Sequence, residues 1–320
     1  MADLIKYSPE DPCVVTRFTG IRTFMKLPFI KGDLTGADFA IIGIPCDGGT
    51  TFRSGAAFGP SAIREMSIML RSGNPNLDVD IFQYLSGIDY GDANINPCNL
   101  QVSHEEIERT FDEVVRQNVL PIGLGGDHSI TLPQLRAIAR KHGPVALVQF
   151  DAHLDTYDSE NGSSLTHGTM FRRAVEEGII DSKRSIQVGI RGVFNMETIR
   201  ESEALGFTVI TAKELHEQGI EWTAQKILDT VGDHKTHFTF DIDFFDPAYA
   251  PGTGTIEVGG FTSYEGIKLT RSIRQLNFVS FDVVEVLPAF DPTQITAYLA
   301  GSVVQEFLSI LAWKRKTGNA

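Results

Sequence analysis

The sequence of 320 residues contains only three cysteines, Cys13, Cys46 and Cys98, which lie far apart and form no CxxC pair. It therefore predicts neither a disulfide framework nor a zinc finger, and a reduced, cytoplasmic location is the default expectation. The N-terminus lacks the apolar segment of a signal peptide, and no uninterrupted apolar run approaches the roughly 20 residues that cross a membrane. We therefore expect a soluble protein without a membrane partner.

Positive charge is also scarce. The chain has 28 lysine and arginine residues against 41 aspartate and glutamate residues, which gives a formal net charge of −13 at pH 7. Such a chain is repelled by the phosphates of nucleic acids and by anionic membrane surfaces, so we expect no nucleic-acid partner. The same charge favours a small cationic substrate.

The pattern of the chain predicts an α/β fold. Residues 1–36 follow neither a helical nor a strand period, and we interpret them as an arm that packs on the body or on a neighbouring subunit. From residue 37 to residue 320, strand patterns alternate with helical patterns without a linker or repeat. This alternation predicts a single three-layer αβα domain with a central, mostly parallel sheet. Predicted strands cover 38–45, 120–124, 145–150, 185–190, 207–210, 237–240 and 279–286; predicted helices begin at Pro60 and Ser103 and cover 132–142, 196–205, 223–231, 264–276 and 303–313.

Three of the predicted strands end in aspartate and histidine. Asp151, His153 and Asp155 follow one strand at a spacing of two residues, so their side chains leave the same face of an extended backbone. Asp241 and Asp243 follow another strand at the same spacing, and the segment 125–129 after a third strand contains His128. Because ligands bind at the carboxyl ends of parallel strands, we expect one polar site. The glycine-rich loop 46–55 matches no phosphate-binding motif and is attributed to tight turns.

Two imidazoles and four carboxylates exceed the needs of one tetrahedral ion. An oxygen-rich set suits metals harder than zinc, and two divalent ions that share carboxylates are the simplest interpretation. The alternative is that these side chains only cap turns, but six of them at three strand ends argue against it. Because four carboxylates balance two divalent ions, a bridging hydroxide would leave the site slightly negative, which again favours a cationic substrate.

Several motifs, in this order, resemble those of the ureohydrolase family of arginase and agmatinase. The motifs are GGDHS at 125–129, DAHLD at 151–155, HGT at 167–169 and DIDFFDP at 241–247. The segments 246–255 and 282–286 resemble the agmatinase branch more closely, and that branch includes guanidinobutyrases and guanidinopropionases. The resemblance implies an arginase-like fold and a hydrolase that acts on the C–N bonds of linear amidines. It would cleave a guanidino compound to urea and an amine.

The resemblance also implies residue roles. It implies two divalent ions, with Mn²⁺ preferred and Ni²⁺ as the alternative, and a hydroxide between them that attacks the guanidinium carbon. His167 would shuttle protons, Glu285 would contact the guanidinium, and Asp155 would count among the catalytic residues as well as the ligands. The family forms homo-oligomers, usually trimers or hexamers, and a mixed oligomer is left open. One ion would be held by His128, Asp151, Asp155 and Asp241, and the other by Asp151, His153, Asp241 and Asp243.

Two departures from the family pattern concern the substrate. Phe245 replaces an aliphatic residue and Ile256 replaces a proline, so we expect both to form an apolar wall around the leaving amine. The alternative, and the more common cause of such replacements, is repacking of the core. Tyr157 and Asp158 lie in a loop, 156–161, that is expected to contact the substrate tail, and its acidic groups disfavour a carboxylate. These features favour agmatine or a short N-alkylated guanidine or biguanide, such as metformin, over the guanidino acids.

Two other classes of function are weighed against this one. Single-zinc deacylases share the general fold by resemblance, but they would not need His128 together with the full 151–155 set. A structural subunit of a mixed ureohydrolase oligomer would need no catalytic residues, so the intact ligand set, with His167 and Glu285, argues against it.

Overall fold

The computed structural model describes residues 5–318, so the first four residues of the predicted arm and the last two residues of the chain lie outside it. An eight-stranded sheet in the order β4-β1-β5-β10-β9-β6-β7-β8 forms the centre, and every strand pair in it is parallel. A separate antiparallel pair joins β2 and β3. The strands are β1 Phe39–Ile44, β2 Gly73–Asn74, β3 Val79–Asp80, β4 Gly87–Asp92, β5 Leu120–Gly125, β6 Ala146–Phe150, β7 Ile186–Ile190, β8 Thr208–Thr211, β9 Lys235–Asp241 and β10 Asn277–Val284.

Helices cover both faces of the sheet. Along β1, Phe39 and Ile41 belong to one apolar cluster, and Ala40 and Ile42 belong to another on the opposite face. This alternation follows from the two-residue period of a strand, and burial on both faces explains the nearly continuous apolar runs. The predicted three-layer αβα fold is confirmed. The helices are α1 Gly59–Ser67, α2 Ile81–Tyr84, α3 Leu100–Val115, α4 Thr131–His142, α5 Met170–Glu176, α6 Met196–Ala204, α7 Ala212–Gln218, α8 Ile220–Val231, α9 Ser263–Ser272 and α10 Ile295–Thr317.

Some elements differ from the sequence-based expectation. The predicted start of α3 at Ser103 is wrong, because the helix is capped earlier by Asn99, whose side chain accepts a hydrogen bond from Val102 N. Strand β4 was not predicted because its sequence, GIDYGD, is polar. Its Asp89 is fully buried and compensated by Arg64, which forms two hydrogen bonds of 2.9 Å to the carboxylate. Helices α5 and α7 were not predicted either.

Helix α10 is longer than the predicted segment 303–313 and is largely buried. By length and composition alone it could cross a membrane, but 72% of its most apolar window is buried inside the protein. It contributes Val303, Val304 and Phe307 to the main apolar cluster, and Phe307 stacks on Phe281 of β10 with ring centroids 4.4 Å apart. These contacts are those of a core helix in a soluble domain.

Residues 5–36 precede β1 and lie along the body of the domain. Phe24, Met25 and Leu27 are buried in the main apolar cluster. The backbone N–H of Phe24 donates to the Asp89 carboxylate at 2.8 Å, which ties this segment to β4. Val14 and Phe18 remain exposed.

The strand order determines where the predicted site residues meet. Strands β5, β10, β9 and β6 are consecutive neighbours in the sheet. Because all four run in the same direction, the segments that follow them leave the sheet at one edge. The segments after these strands contain, respectively, His128, Glu285, Asp243 and Asp151.

Candidate metal centre

His128 lies in a short helical turn directly after β5 and faces three carboxylates. Its Nδ1 lies 2.9 Å from an Asp155 oxygen, 3.1 Å from an Asp151 oxygen and 3.4 Å from an Asp241 oxygen. All four side chains are buried. The arrangement therefore presents one imidazole nitrogen and three carboxylate oxygens to a common space.

A second group forms around His153 on the other side of Asp151. The Nδ1 atom of His153 lies 3.0 Å from Asp243 Oδ2 and 3.5 Å from Asp151 Oδ1. Asp151 thus faces His128 with one oxygen and His153 with the other. The ligand atoms of His128, Asp151 and Asp155, and likewise those of Asp151, His153 and Asp243, lie within 4.8 Å of one another.

Local backbone hydrogen bonds orient these carboxylates. The N–H of His153 donates to Asp151 Oδ1 at 2.6 Å, and the N–H of Asp243 donates to Asp241 Oδ1 at 2.8 Å. Both are bonds from the residue two positions later, a turn that aspartate readily forms. The N–H of Ala152 also donates to Asp243 Oδ1, at 3.0 Å, which leaves Asp243 Oδ2 facing His153. The spacing of two residues therefore determines both the position and the orientation of the Asp151 and Asp241 carboxylates.

The electrostatics of the cluster require positive charge. Burial, together with the Asp151 carboxylate, raises the pKa of Asp155 to about 7. Burial and the charges of Asp243 and Asp151 raise the pKa of Asp241 well above its usual value. Within the described residues, two buried atoms that face the cluster, His128 Nδ1 and Asp243 Oδ2, have no hydrogen-bond partner. Buried carboxylates and unpartnered imidazole nitrogens of this kind fit divalent cations, which compensate the charge and accept these ligands.

Two predicted site residues adopt an unusual backbone conformation. Asp155 has φ of 54° and Glu285 has φ of 63°, in the left-handed region that residues with a side chain rarely occupy. Such a conformation costs about 1–3 kcal/mol and persists only where the surroundings enforce it. The fold thus holds both carboxylates in positions that relaxed strand geometry would not give.

His167 and Glu285 form a buried pair beside the cluster. His167 Nδ1 lies 2.8 Å from Glu285 Oε1, which also accepts the backbone N–H of His128 at 2.9 Å. Burial lowers the pKa of His167, but the Glu285 carboxylate raises it more, to about 9. The other carboxylate oxygen, Glu285 Oε2, is buried and has no hydrogen-bond partner among the described residues.

The loop 46–51 belongs to the site. The carbonyl of Gly49 accepts the N–H of His167 at 2.9 Å, and its own N–H donates to Asp127 at 2.7 Å. A Cβ on Gly49 would lie 2.6 Å from the Ser129 side chain, so only glycine fits there. Thr51 Oγ1 lies 2.7 Å from His167 Nε2. Gly49, in the loop that the sequence analysis attributed to tight turns, therefore also supports a predicted catalytic side chain.

A pocket of about 360 Å³ opens above the cluster and is the access route for a small molecule. His153, Asp155, His167 and Asp241 reach its inner surface. Its outer wall includes Thr51, Phe52, Tyr157, Phe194, Ile256 and Glu257.

Comparison with known proteins gives a consistent result. The family model described as "Arginase family" matches residues 37–309. The chain is 41% identical to a guanidinobutyrase from Pseudomonas aeruginosa, over 92% of this chain and 93% of the relative. It is also 41% identical to an agmatinase from Chromobacterium violaceum, over 94% of this chain and 92% of the relative. The chain belongs to the arginase family.

Among solved structures, proclavaminate amidino hydrolase from Streptomyces clavuligerus superposes with a TM-score of 0.90 at 38% identity, covering 93% of this chain and 99% of the other. This likeness confirms the arginase-like fold. Members of the arginase family depend on two metal ions, and this chain has the two histidine and aspartate groups that could hold them.

The structure brings together most of the residues that the sequence singled out. The six predicted ligands surround one space, and the pair of His167 and Glu285 lies next to it. Tyr157 and Ile256 line the pocket.

Two pocket predictions are wrong. Phe245 is only 1% exposed and packs on Phe240, with ring centroids 5.2 Å apart, so it belongs to the core and does not line the pocket. Asp158 points to solvent and forms an ion pair of 2.8 Å with Arg173 on the outside of the domain. In both cases the residue is close in sequence to a pocket residue but leaves the backbone in another direction.

Sequence reasoning missed several residues around this site. Thr51, Phe52 and Phe194 come from loops without a motif, and no signal in the sequence indicated them. Glu257 could have been found from the sequence, because it directly follows Ile256 in a segment that departs from the family pattern. Its carboxylate lies 3.9 Å from His153 Nε2. Thr239 lies on β9 two residues before Asp241, on the same face of the strand.

Proposed function

We propose that this protein is a binuclear metal hydrolase that cleaves a small cationic guanidino compound to urea and an amine. The observation that carries the proposal is the pair of buried histidine–aspartate groups that share Asp151 at the bottom of an open pocket. Relatives named agmatinase and guanidinobutyrase, at about 41% identity over almost the whole chain, support the same reaction class.

The six clustered residues would hold the two ions. His128, Asp151, Asp155 and Asp241 would bind one ion, and Asp151, His153, Asp241 and Asp243 the other, with Asp151 and Asp241 shared. Two divalent ions would supply an activated water at neutral pH and positive charge that stabilises the oxygen developing negative charge. Five of the six side chains are buried, and backbone N–H groups orient three of the carboxylates, those of Asp151, Asp241 and Asp243. Little reorganisation would therefore be needed on binding.

Glu285 would orient the substrate. Its Oε1 is fixed by the His128 N–H and by His167, whereas its Oε2 has no partner and is free to accept an N–H of the guanidinium. A carboxylate bonded to a guanidinium forms a strong, directional contact. The left-handed backbone at Glu285 supports this role, because that strained geometry keeps the carboxylate beside the metal cluster.

His167 would carry the proton that the leaving amine needs. In the overall reaction the oxygen of water forms a bond to the guanidinium carbon, and the bond from that carbon to the amine nitrogen breaks. Both protons of the water end on this nitrogen, so the products are neutral urea and an ammonium group. His167 lines the pocket and is held between Glu285 and Thr51. Because its pKa is raised to about 9, His167 holds a proton at neutral pH that it can donate to the amine, and a proton of the attacking water can then replace it.

The finer properties of the enzyme follow the same reasoning. Mn²⁺ is the preferred metal, because the donor set is rich in carboxylate oxygen, and Ni²⁺ is the alternative, because two imidazoles also suit it. We also propose a cytoplasmic homo-oligomer, a trimer or hexamer, in which residues 1–36 form an arm and 37–320 the catalytic domain.

The test is urea release by the purified chain alone. Protein freed of metal is reloaded with Mn²⁺ or Ni²⁺ and assayed with agmatine, 4-guanidinobutyrate, 3-guanidinopropionate, arginine, methylguanidine, dimethylguanidine and metformin. We expect two ions per chain by elemental analysis and activity only with metal. Asp151→Asn should remove most of the activity and lower the metal content, because Asp151 is shared by both groups. Full activity after chelation, or no urea from any guanidine with two ions bound, would contradict the proposal.

A further inference from the structure

We infer that the substrate of this site carries an aliphatic tail without a negative charge, so that alkylguanidines and aminoalkylguanidines are accepted and guanidino acids of equal length are rejected. The inference rests on the proposed function and specifies its substrate class. The observations that carry it concern the wall of the pocket beyond the metal cluster.

The first observation is the charge of the wall. Among the residues that the structure describes, the side chains lining the pocket include Glu160 and Glu257 but neither lysine nor arginine. Of the two histidines in the pocket, His167 is engaged by Glu285 and His153 by Asp243. A substrate carboxylate would therefore leave water for a wall without a free cationic partner, and desolvation of an unpaired charge is costly. The negative charge of the two glutamates would repel it further.

The second observation is the aromatic surface at the mouth. Phe52 and Phe194 are 71% and 74% exposed, although large aromatic side chains are usually buried. The ring of Phe194 contacts Tyr157, with centroids 4.8 Å apart. Together with Ile256, these rings give an aliphatic chain an apolar surface, and their faces also attract an ammonium group.

The cations nearest to the pocket are already engaged. Arg53 lies next to Phe52 in sequence, but its guanidinium is held over the rings of Phe52 and Phe290, at 5.4 and 4.8 Å from their centroids. Arg191 lies beneath the site, where it donates to the backbone carbonyls of Asp243 and Glu257 at 2.6 and 2.9 Å. Arg53, next to Phe52, is a side chain whose movement could provide a partner for a carboxylate.

A substrate tail without negative charge would distinguish this chain from some of its relatives. The relative from Pseudomonas aeruginosa is named for a substrate that carries a carboxylate, guanidinobutyrate, whereas the relative from Chromobacterium violaceum is named for agmatine, which carries an amine. Both are 41% identical to this chain, so overall identity does not discriminate. We base the distinction on the charge of the pocket wall in this chain.

The test compares three guanidines whose tails each contain four carbons: butylguanidine, which ends in a methyl group, agmatine, which carries an ammonium group on the fourth carbon, and 4-guanidinobutyrate, whose fourth carbon is that of the carboxylate. The holoenzyme is assayed for urea, and kcat/KM is compared. We expect kcat/KM for 4-guanidinobutyrate to be at least about 10-fold below the values for both of the others. A value equal to or above them would overturn the inference, while the proposed function would stand. If none of the three is hydrolysed by protein with two ions bound, the inference is wrong, and the proposed function fails as well if no other guanidine releases urea.

Three variants test the role of the wall. Ile256→Lys adds a cation at a half-exposed wall position and should raise kcat/KM for 4-guanidinobutyrate relative to agmatine by about 10-fold, while the uncharged control Ile256→Met should leave the ratio unchanged. Arg53→Gln should leave the ranking of the three substrates unchanged. If 4-guanidinobutyrate is the best substrate and Arg53→Gln abolishes that preference, Arg53 binds the carboxylate and the inference is wrong.

Discussion

His128 Nε2 lies 2.8 Å from the hydroxyl of Thr239, on the side of the ring opposite to the nitrogen that faces the carboxylates. When Nδ1 binds an ion, Nε2 carries the hydrogen and donates it to the Thr239 hydroxyl. Behind Thr239 lies Asp282, a fully buried carboxylate that accepts hydrogen bonds from Thr131 at 2.7 Å and Gln134 at 2.8 Å. The orientation of one candidate ligand is therefore determined by β9 and β10 beneath it.

Thr239→Val should lower the affinity for the ion on the His128 side about 10- to 100-fold, because the His128 ring loses the partner that fixes its orientation. The ion on the His153 side should keep its affinity. Calorimetric titration of metal-free protein with Mn²⁺ measures the affinities of both metal sites. Thr236→Val is the matched control: Thr236 is equally buried on the same strand, but its hydroxyl bonds to a backbone carbonyl at 2.8 Å. Equal weakening in both variants would contradict a specific role for Thr239.

His167→Ala should lower kcat about 10²- to 10⁴-fold, the range typical for loss of a general acid or base, while metal content stays at two ions per chain. The reason is that, within residues 5–318, the His167 side chain forms hydrogen bonds with Thr51 and Glu285 and with none of the six clustered residues. Elemental analysis accompanies the rate measurement. A variant that loses one metal equivalent would identify His167 as a ligand.

The pair of His167 and Glu285 should also make the stability of the metal-free protein depend on pH. The Glu285 carboxylate raises the pKa of His167, despite burial, from 6.5 to about 9 in the folded protein. The charged pair therefore stabilises the fold fully below pH 6.5, and this contribution is lost as the pH rises through about 9. The difference in melting temperature between wild-type protein and His167→Gln, both without metal, should decrease between pH 6.5 and pH 9.5. A constant difference over that interval would contradict the raised pKa.

Much of the fold and the metal cluster could be predicted because periodicity and spacing carry the information. The run of 145–150 with Asp151, His153 and Asp155 after it has one geometric solution: a buried strand whose end displays polar groups. The sequence-based prediction of pocket residues failed where the direction of a side chain matters more than its spacing along the chain. Asp158 follows a pocket residue, Tyr157, yet turns to Arg173, and no local pattern indicates which way an irregular loop aims its side chains.

Long-range pairing was equally invisible in the sequence. The polar sequence of β4 predicts no buried strand until Arg64 of α1 is known to pair with Asp89. Glu285 could be assigned only through a resemblance, because its unusual φ angle and its contact with His167, 118 positions away, arise from the assembled fold. Residues that act through neighbours from distant segments are therefore the ones that a single sequence does not reveal.

Phe245 provides the last prediction, because its position in the core separates stability from selectivity. Its ring packs on Phe240 and Phe244 and lies so close to α9 that a Cβ on Gly266 would come within 2.2 Å of it. Phe245→Ala should therefore destabilise the fold by about 3–5 kcal/mol. The ratio of kcat/KM between butylguanidine and agmatine should not change, because the side chain does not reach the pocket.

The matched variant is Ile256→Ala, at a position that is 43% exposed in the pocket wall. It should change the same ratio while the free energy of unfolding, measured by denaturant titration, shifts by less than about 1 kcal/mol, because a half-exposed side chain buries little apolar area. A shift in substrate preference with Phe245→Ala and none with Ile256→Ala would return Phe245 to the substrate wall, and the core assignment would have to be abandoned.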